Sequence, residues 1–437
     1  AIEFRNGHNL PYLKGVSKMG WRGNKTFILP GQKNDYVIDT SDSTAQVIIA
    51  GLKTAGDYSK WKNKAIDIRT RLKARFFLAA AFAPPLLKVL GQRSFLIHNW
   101  DKSQGGKTAM LNFCLSIYGE PEKIKQGFND TYTNIERRAS IMCDLLFGVN
   151  ELELLKEQQK VSVDQLIYML AEGRGRGRAT KEGLQGTSTW RNVVMMTGET
   201  QITRNNSRGG IYTRLIEIKA GPFIGEDVFA SDLYQFTEEN HGFAGREFID
   251  KLIVADHEQL RNMYRDIRLS LRKNNQDKIE SHMDMMACIC VADYLSSIFI
   301  FGMPEQQAAD EAYKMVNDIV PLLMTKVDAD EGARAWQWLA DWLAANRNNF
   351  EEVGAFDSRI KPREIYGYIE GDDISIIKTV LMKALKDNDF NANKVLNTWA
   401  DAGKFPCENY GGRRWLGRRG KNINGSKPYL IIVNLVT

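Results

Sequence analysis

At 437 residues the chain is longer than one hydrophobic core usually serves, so two or three domains are expected. Hydrophobic content of 43% and charged content of 26% exclude a disordered or fibrous chain. The formal charge of +6 is a mild excess whose meaning lies in where it clusters. Five scattered cysteines argue against a disulfide framework and fit a reducing cytoplasm.

The chain opens on Ala1 rather than Met, without a signal peptide, as a piece of a longer protein would. Residues 1–45 read as strands and turns, including the apolar run Thr26–Pro30 between glycine and lysine breaks. Helical spacing follows over Ala45–Leu52 and Ile66–Leu90, the latter divided by Pro84-Pro85.

The stretch SFLIHNWDKSQGGKTAML, Ser94–Leu111, carries the strongest chemistry. An apolar strand (Phe95, Leu96, Ile97) meets a short loop that ends in Gly106-Lys107-Thr108, and a helix follows. That is the context of a phosphate-binding loop, whose backbone N–H groups and helix N-terminus cradle phosphate oxygens. Asp101, Ser103, Gln104, Gly105, Gly106, Lys107 and Thr108 are the nucleotide-binding candidates. Lys107 would reach the β/γ-phosphates and the Thr108 hydroxyl would sit on Mg²⁺. Asp101 departs from the pattern G-x-x-x-x-G-K-[ST], which expects Gly there.

The loop helix runs to about Tyr118 and is ended by Gly119-Glu120-Pro121. Thr133 with Glu136 reads as a capping box. Leu145–Glu151 is an apolar strand with Asn150-Glu151 at its C-terminal end, where ligands gather in parallel sheets. Glu151 is the candidate for activating water, and Asn150 stands where an Asp usually meets the Mg²⁺ shell. The bland alternative for Glu151 is a surface acid after a buried strand.

A helix over about Ser162–Ala171 leads into AEGRGRGRATKEG. Its alternating glycines and cations Arg174, Arg176, Arg178 and Lys181 suit a loop that tracks a phosphate backbone. A solvated basic loop and a contact to a neighbouring subunit's nucleotide are the other readings. Trp190–Thr197 is a further buried strand, and Thr197 or Glu199 at its tip could position lytic water. Arg204, Arg208 and Arg214 follow. An arginine in the apolar strand YTRLIEIKA wants an anion, either a neighbouring subunit's γ-phosphate or a salt bridge to Glu217 or Glu199.

Residues 230–350 are helical in pattern, over Gly245–Leu260, Ile279–Ile300, Ala308–Met324 and Gly332–Asn346. Trp336, Trp338 and Trp342 in the last read as packing rather than base-stacking. Met283–Met303 is broken by Asp284 and Asp293, short of a membrane span. Cys288 and Cys290, with His282 nearby, read as buried thiols, so no structural zinc is expected. Phe356–Ile360 looks like a linker or strand start. Ile374–Lys386 and Asn391–Ala402 read as two amphipathic helices, and RRWLGRRGKNINGSKPYLIIVNL as a hairpin with Asn424-Gly425 at its tip. Helix–turn–helix plus hairpin is a winged helix. Residues 401–437 hold seven Lys/Arg against two acids, so Arg413, Arg414, Arg418, Arg419 and Lys421 are nucleic-acid candidates. Protein docking is the competing use of such a module.

The runs FLIHNWDKSQGGKTAMLNFCLSIYG, FNDTYTNIE, LLFGVNELE, VVMMTGE and GGIYTRLIEI, in that order, resemble the MCM-like AAA+ helicases of staphylococcal cassette chromosome elements and related phage-type replication proteins. The resemblance extends over roughly residues 15–437. It implies an α/β P-loop AAA+ ATPase core, a helical region and a C-terminal winged helix, in a hexamer that hydrolyses ATP at subunit interfaces and translocates on single-stranded or forked DNA. Carried over by position, Lys107 and Thr108 hold the triphosphate and Mg²⁺, and Asn150-Glu151 stands for the acidic pair. Thr197 takes the sensor place; Arg214, or else Arg204 or Arg208, acts in trans. Element-encoded replication partners are implied as well. The expected division is 1–90 as an α/β and helical lead-in, 91–222 as ATPase core, 223–355 as helical region and 356–437 as winged helix. An ATP-controlled DNA-binding initiator without unwinding is the alternative; a small-molecule kinase is disfavoured because no acceptor-site motif accompanies the loop.

Overall fold

The computed structural model describes residues 14–32, 35–38, 41, 43–102, 105–127, 130–150, 163–180, 183–185, 187–203, 209–219, 230–353, 364–410, 412–420 and 427–434. The chain divides into two compact units, one built from Ala1–Ile202 with Gly210–Met324, the other centred on Thr325–Thr437.

The first unit is organised around five parallel strands: β1 (Phe95–Trp100), β2 (Gln126–Gly127), β3 (Leu146–Asn150), β4 (Val193–Gly198) and β5 (Leu215–Lys219). Their order across the sheet is β5-β1-β4-β3-β2. The strands are near-continuous apolar runs because helices cover both faces of such a sheet. Phe95, Leu96, Ile97, Val193, Val194 and Ile216 are all buried.

The order has a functional consequence. The chain leaves β1 toward β2 on one side and leaves β4 toward β5 on the other. The connections of β1 and β4 therefore part at the carboxyl edge, and such a reversal of strand order is where open α/β sheets bind ligands.

Helices Ser43–Gly51, Tyr58–Arg69, Leu72–Phe82 and Leu86–Leu90 precede the sheet, with Pro84-Pro85 separating the last two as expected. Helices Ala230–Glu239, Phe243–Val254, His257–Asn274, Glu280–Phe299 and Glu305–Ile319 follow it. The helix expected over Gly245–Leu260 is two helices. Asp256 caps the second by accepting the amides of Glu258 and Gln259, an N-cap that forces a break before it. Helix Tyr132–Ile141 is capped by Thr131, whose hydroxyl accepts Asn134 N–H, rather than by Thr133. Asp293 of helix Glu280–Phe299, only 1% exposed, ties these later helices to the earlier ones: it binds Arg69 at 3.1 Å and Arg75 at 2.7 Å, and Arg75 reaches Glu311 at 2.7 Å. Cys288 and Cys290 are buried in helix Glu280–Phe299, and burial pushes the Cys290 thiol up to about 12. No helix among the described residues is long and apolar enough to cross a membrane.

The second unit has its own core, in which Leu339, Leu381, Val395, Leu396 and Trp399 are buried together. Helix Glu331–Ala345, read from the sequence as part of the region 223–355, belongs here. Its Trp336 meets Trp399 edge-on at 5.1 Å, so the tryptophans pack as expected. Helices Lys378–Asp387 and Ala392–Asp401 form the helix–turn–helix pair. Asp373–Ile377, taken above as the start of a helix, is a strand paired with Gly367–Glu370 and Tyr429–Val433. Its β-branched ISII run favours a pleated surface. Arg418–Arg419 pairs with Tyr429–Val433, but Arg413–Trp415 pairs backwards with Glu408–Tyr410. Phe356–Ile360 and Asn424-Gly425 lie outside the described residues.

Candidate functional site

At the carboxyl end of β1 the loop turns through Gly106, the N-cap of helix Lys107–Leu115, at φ +72°. That left-handed conformation favours Gly strongly. Asp101 is not among the residues with positive φ, so the backbone there does not demand Gly. Instead its carboxylate accepts Lys102 N–H at 2.8 Å, and its own N–H donates to Gly198 O of β4 at 3.2 Å. Lys107 is buried; its Nζ donates to Asp101 O and Lys102 O, both at 2.7 Å. Gly105 and Gly106 complete the described part of the loop, and Ser103 and Gln104 lie outside it.

Two strand ends and the start of the loop's helix converge here. Asn150, last residue of β3, offers Oδ1 to two hydroxyls, Thr108 Oγ1 at 3.0 Å and Thr197 Oγ1 at 2.7 Å. Thr197, on β4, is 2% exposed, so its hydroxyl is held rather than solvated. A cation and three polar side chains thus lie at the carboxyl edge of β1, β3 and β4, a donor set that fits a triphosphate with its metal. Glu199 is exposed just past β4, and Glu151 is outside the described residues. Sequence reasoning missed Asn99, which pairs with Thr197 in the β1–β4 register. Its side chain is 2% exposed, and its Oδ1 has no hydrogen-bond partner among the described residues. A polar residue inside the apolar run FLIHNW was the signal.

Arg214 sits at the opposite edge, just before β5. Its Nη2 donates to Glu172 at 2.6 Å and its Nη1 to Gly210 O at 2.8 Å, and its guanidinium lies 4.9 Å from the Tyr168 ring centre. The salt bridge expected to Glu217 or Glu199 is therefore made to Glu172; Glu217 accepts Ile202 N–H instead. Arg214 lines a cleft of about 990 Å³ with Lys18, Arg93, Arg191, Arg268 and Asp284. Arg204 and Arg208 are outside the described residues.

The glycine–arginine stretch is not a plain loop. Arg174 bridges Thr189, Arg176 lies over Tyr132 at 4.6 Å, and Arg178–Thr180 pairs with Gly183–Gln185 as a short hairpin. A Cβ on Gly175 would come within 2.0 Å of Glu136 Oε1, so a larger residue there would have to displace the Glu136 side chain. Arg174 and Arg176 are exposed, and Lys181 is outside the described residues.

In the second unit Arg418 and Arg419 are exposed. Arg414 is tied down. It donates to Asp401 at 2.5 Å and to Ala400 O, closing the end of helix Ala392–Asp401 rather than projecting freely. Arg413 lies in the strand Arg413–Trp415, and Lys421 is outside the described residues.

Comparison with known proteins fits this geometry. Residues 5–190 match a family described only as a domain of unknown function, DUF927. Residues 330–435 match the Cch helix turn helix domain. The fold is that of a solved structure titled "SCCmec type IV Cch - active helicase", with a TM-score of 0.71 at 17% identity over 100% of this chain and 82% of that one. No curated protein matches the chain.

Proposed function

We propose that the chain is an ATP-driven DNA helicase or translocase with a P-loop AAA+ core, serving replication of a mobile element as a hexameric ring with ATP sites at subunit interfaces. The observation that carries this reading is the shared Asn150 oxygen. Thr108, Asn150 and Thr197 meet beside Lys107, at the point in the strand order where a nucleotide would bind.

In this reading Lys107 and the loop amides bind the β/γ-phosphates, and Thr108 with Asn150 holds Mg²⁺. When held there, the ion would supply charge neutralisation at the transferring phosphoryl group. Glu151 orients the attacking water and Thr197 reads the γ-phosphate. Arg214, or else Arg204 or Arg208, completes the neighbouring subunit's site. Arg174, Arg176, Arg178 and Lys181 are the pore contacts, and the winged-helix cations Arg413, Arg418, Arg419 and Lys421 bind DNA, with Arg414 bracing that surface. The division 1–90, 91–222, 223–355 and 356–437 is proposed with the ATPase core in its second segment, and with its last boundary moved back to about 325, where the second unit begins. The helicase title of the structural neighbour and the helix–turn–helix match support the assignment.

Asn150 supports a second reading. A neutral amide in place of a carboxylate weakens metal binding and would suit a nucleotide-controlled DNA-binding initiator that turns over slowly. The deciding experiment is ATP hydrolysis with and without single-stranded DNA, for wild type, Lys107→Ala and Glu151→Gln. DNA-stimulated turnover that both substitutions abolish supports the motor. Nucleotide binding without DNA-responsive turnover refutes it in favour of the initiator.

A further inference from the structure

Aromatic side chains are usually buried because their large surface gains most from leaving water. Among the described residues the exposed large hydrophobic side chains include only two aromatics, Tyr410 at 83% and Trp415 at 43% exposure. Both sit on one ribbon, Glu408–Tyr410 paired antiparallel with Arg413–Trp415.

The register decides how they are displayed. Glu408 opposes Trp415, Asn409 opposes Arg414 and Tyr410 opposes Arg413. Directly opposed residues share a face, so Tyr410 and Trp415 stand on the same face as diagonal neighbours, about 7–8 Å apart. Arg414 is on the other face, where its bonds to Asp401 and Ala400 O fasten the ribbon to the end of helix Ala392–Asp401. The aromatic face is thereby held away from that helix. Trp415 is also fixed from behind. It stacks on Tyr429 with ring centres 5.7 Å apart and planes 8° from parallel, and the Arg419 guanidinium lies 5.8 Å from the Tyr429 ring. Glu408 accepts Arg419 N–H at 3.3 Å, which ties the next strand to the ribbon.

We propose that Tyr410 and Trp415 form a stacking platform for unpaired bases of a nucleic-acid strand, with the neighbouring Arg418 and Arg419 taking its phosphates. The inference rests on the reading of the second unit as DNA-binding and names the form of nucleic acid it takes. In a duplex the base faces are already stacked, so exposed rings favour single strands or frayed ends. A rigid ring already backed by Tyr429 loses little freedom on stacking. The exposed guanidiniums match phosphate charge.

The test uses the full chain and fluorescence anisotropy with labelled oligo-dT, oligo-U and a blunt duplex. Tyr410→Ala and Trp415→Ala should each weaken oligo-dT binding about 5- to 100-fold and leave the duplex unchanged. Tyr410→Phe and Trp415→Phe should keep most of the affinity, because a ring still stacks. Equal losses on oligo-dT and oligo-U identify base stacking as the shared chemistry; loss on one alone assigns the platform to that strand type. Arg418→Ala with Arg419→Ala should weaken every ligand. If the aromatic variants bind like wild type while the arginine variants do not, the platform is refuted and the DNA-binding reading stands. If no variant changes any binding, the reading beneath it fails. Melting curves check folding; Tyr410 is exposed enough that its truncation leaves the core intact, so the Tyr410 pair decides even if Trp415→Ala unfolds.

Discussion

Acid should destabilise the first unit earlier than its carboxylates would. His282, near the start of helix Glu280–Phe299, is 1% exposed and pairs through Nε2 with Tyr212 O at 2.7 Å. Burial, aided by the nearby Lys278 charge and only partly offset by backbone hydrogen bonds, pushes its pKa down to about 4 from 6.5. The unfolded chain therefore binds the proton more readily than the folded one between those values. Stability is unaffected above pH 6.5 and falls as the pH drops through that window. The cost works out at about 2 kcal/mol at pH 5 and about 3 kcal/mol at pH 4. Carboxylates act lower. Burial pushes the Glu122 carboxyl up, but its bonds with Lys125 and Asn112 outweigh this and hold it below 4.5, so its stabilisation is lost only as the pH falls below that value. Urea unfolding followed between pH 7.5 and 4.5 reads the slope, and His282→Gln, whose amide can still donate to Tyr212 O, should flatten it. Parallel slopes for wild type and His282→Gln would refute the reasoning.

The remaining predictions concern ion pairs. Asp293→Ala leaves Arg69 and Arg75 buried without their shared carboxylate and should cost about 3–5 kcal/mol, with Asp293→Asn costing less; denaturant titration measures both, and a loss near zero would mean water already reaches the two guanidiniums. Arg214→Ala and Glu172→Ala separate the two roles of the arginine. As a partly exposed pair their coupling in stability should be about 1 kcal/mol or less. If Arg214 acts in trans, its loss lowers ATP turnover about a thousandfold or more while Glu172→Ala keeps most of it; matching losses in turnover would reduce Arg214 to an ion-pair residue.

What the sequence made legible was set by strong local chemistry. The strand–loop–helix around Gly106-Lys107-Thr108 carries a glycine, a cation and a hydroxyl in fixed order, and the apolar runs that became β3 and β4 announced buried parallel strands. Those same runs ended in Asn150 and Thr197, so the polar junction was visible as two separate strand tips. Their meeting on one oxygen was not, because it depends on strand order. Partners far apart in sequence were hidden for the same reason: Arg214 chose Glu172 on the helix Val163–Glu172, and Arg414 chose the end of another helix. Local ambiguity explains the rest. Thr131 and Thr133 are both competent caps two residues apart, and Asp373–Ile377 runs directly into a helix with no breaker between them. Candidates such as Glu151, Arg204 and Lys181 lie outside the described residues.

The two hydrophobic clusters share no residue; one gathers side chains from Met19 to Leu323 and the other from Ala335 to Val433. The boundary between Met324 and Thr325 therefore passes through neither interior. Substitutions on the ribbon and strands of the C-terminal unit need no compensating change among the buried residues of the first cluster.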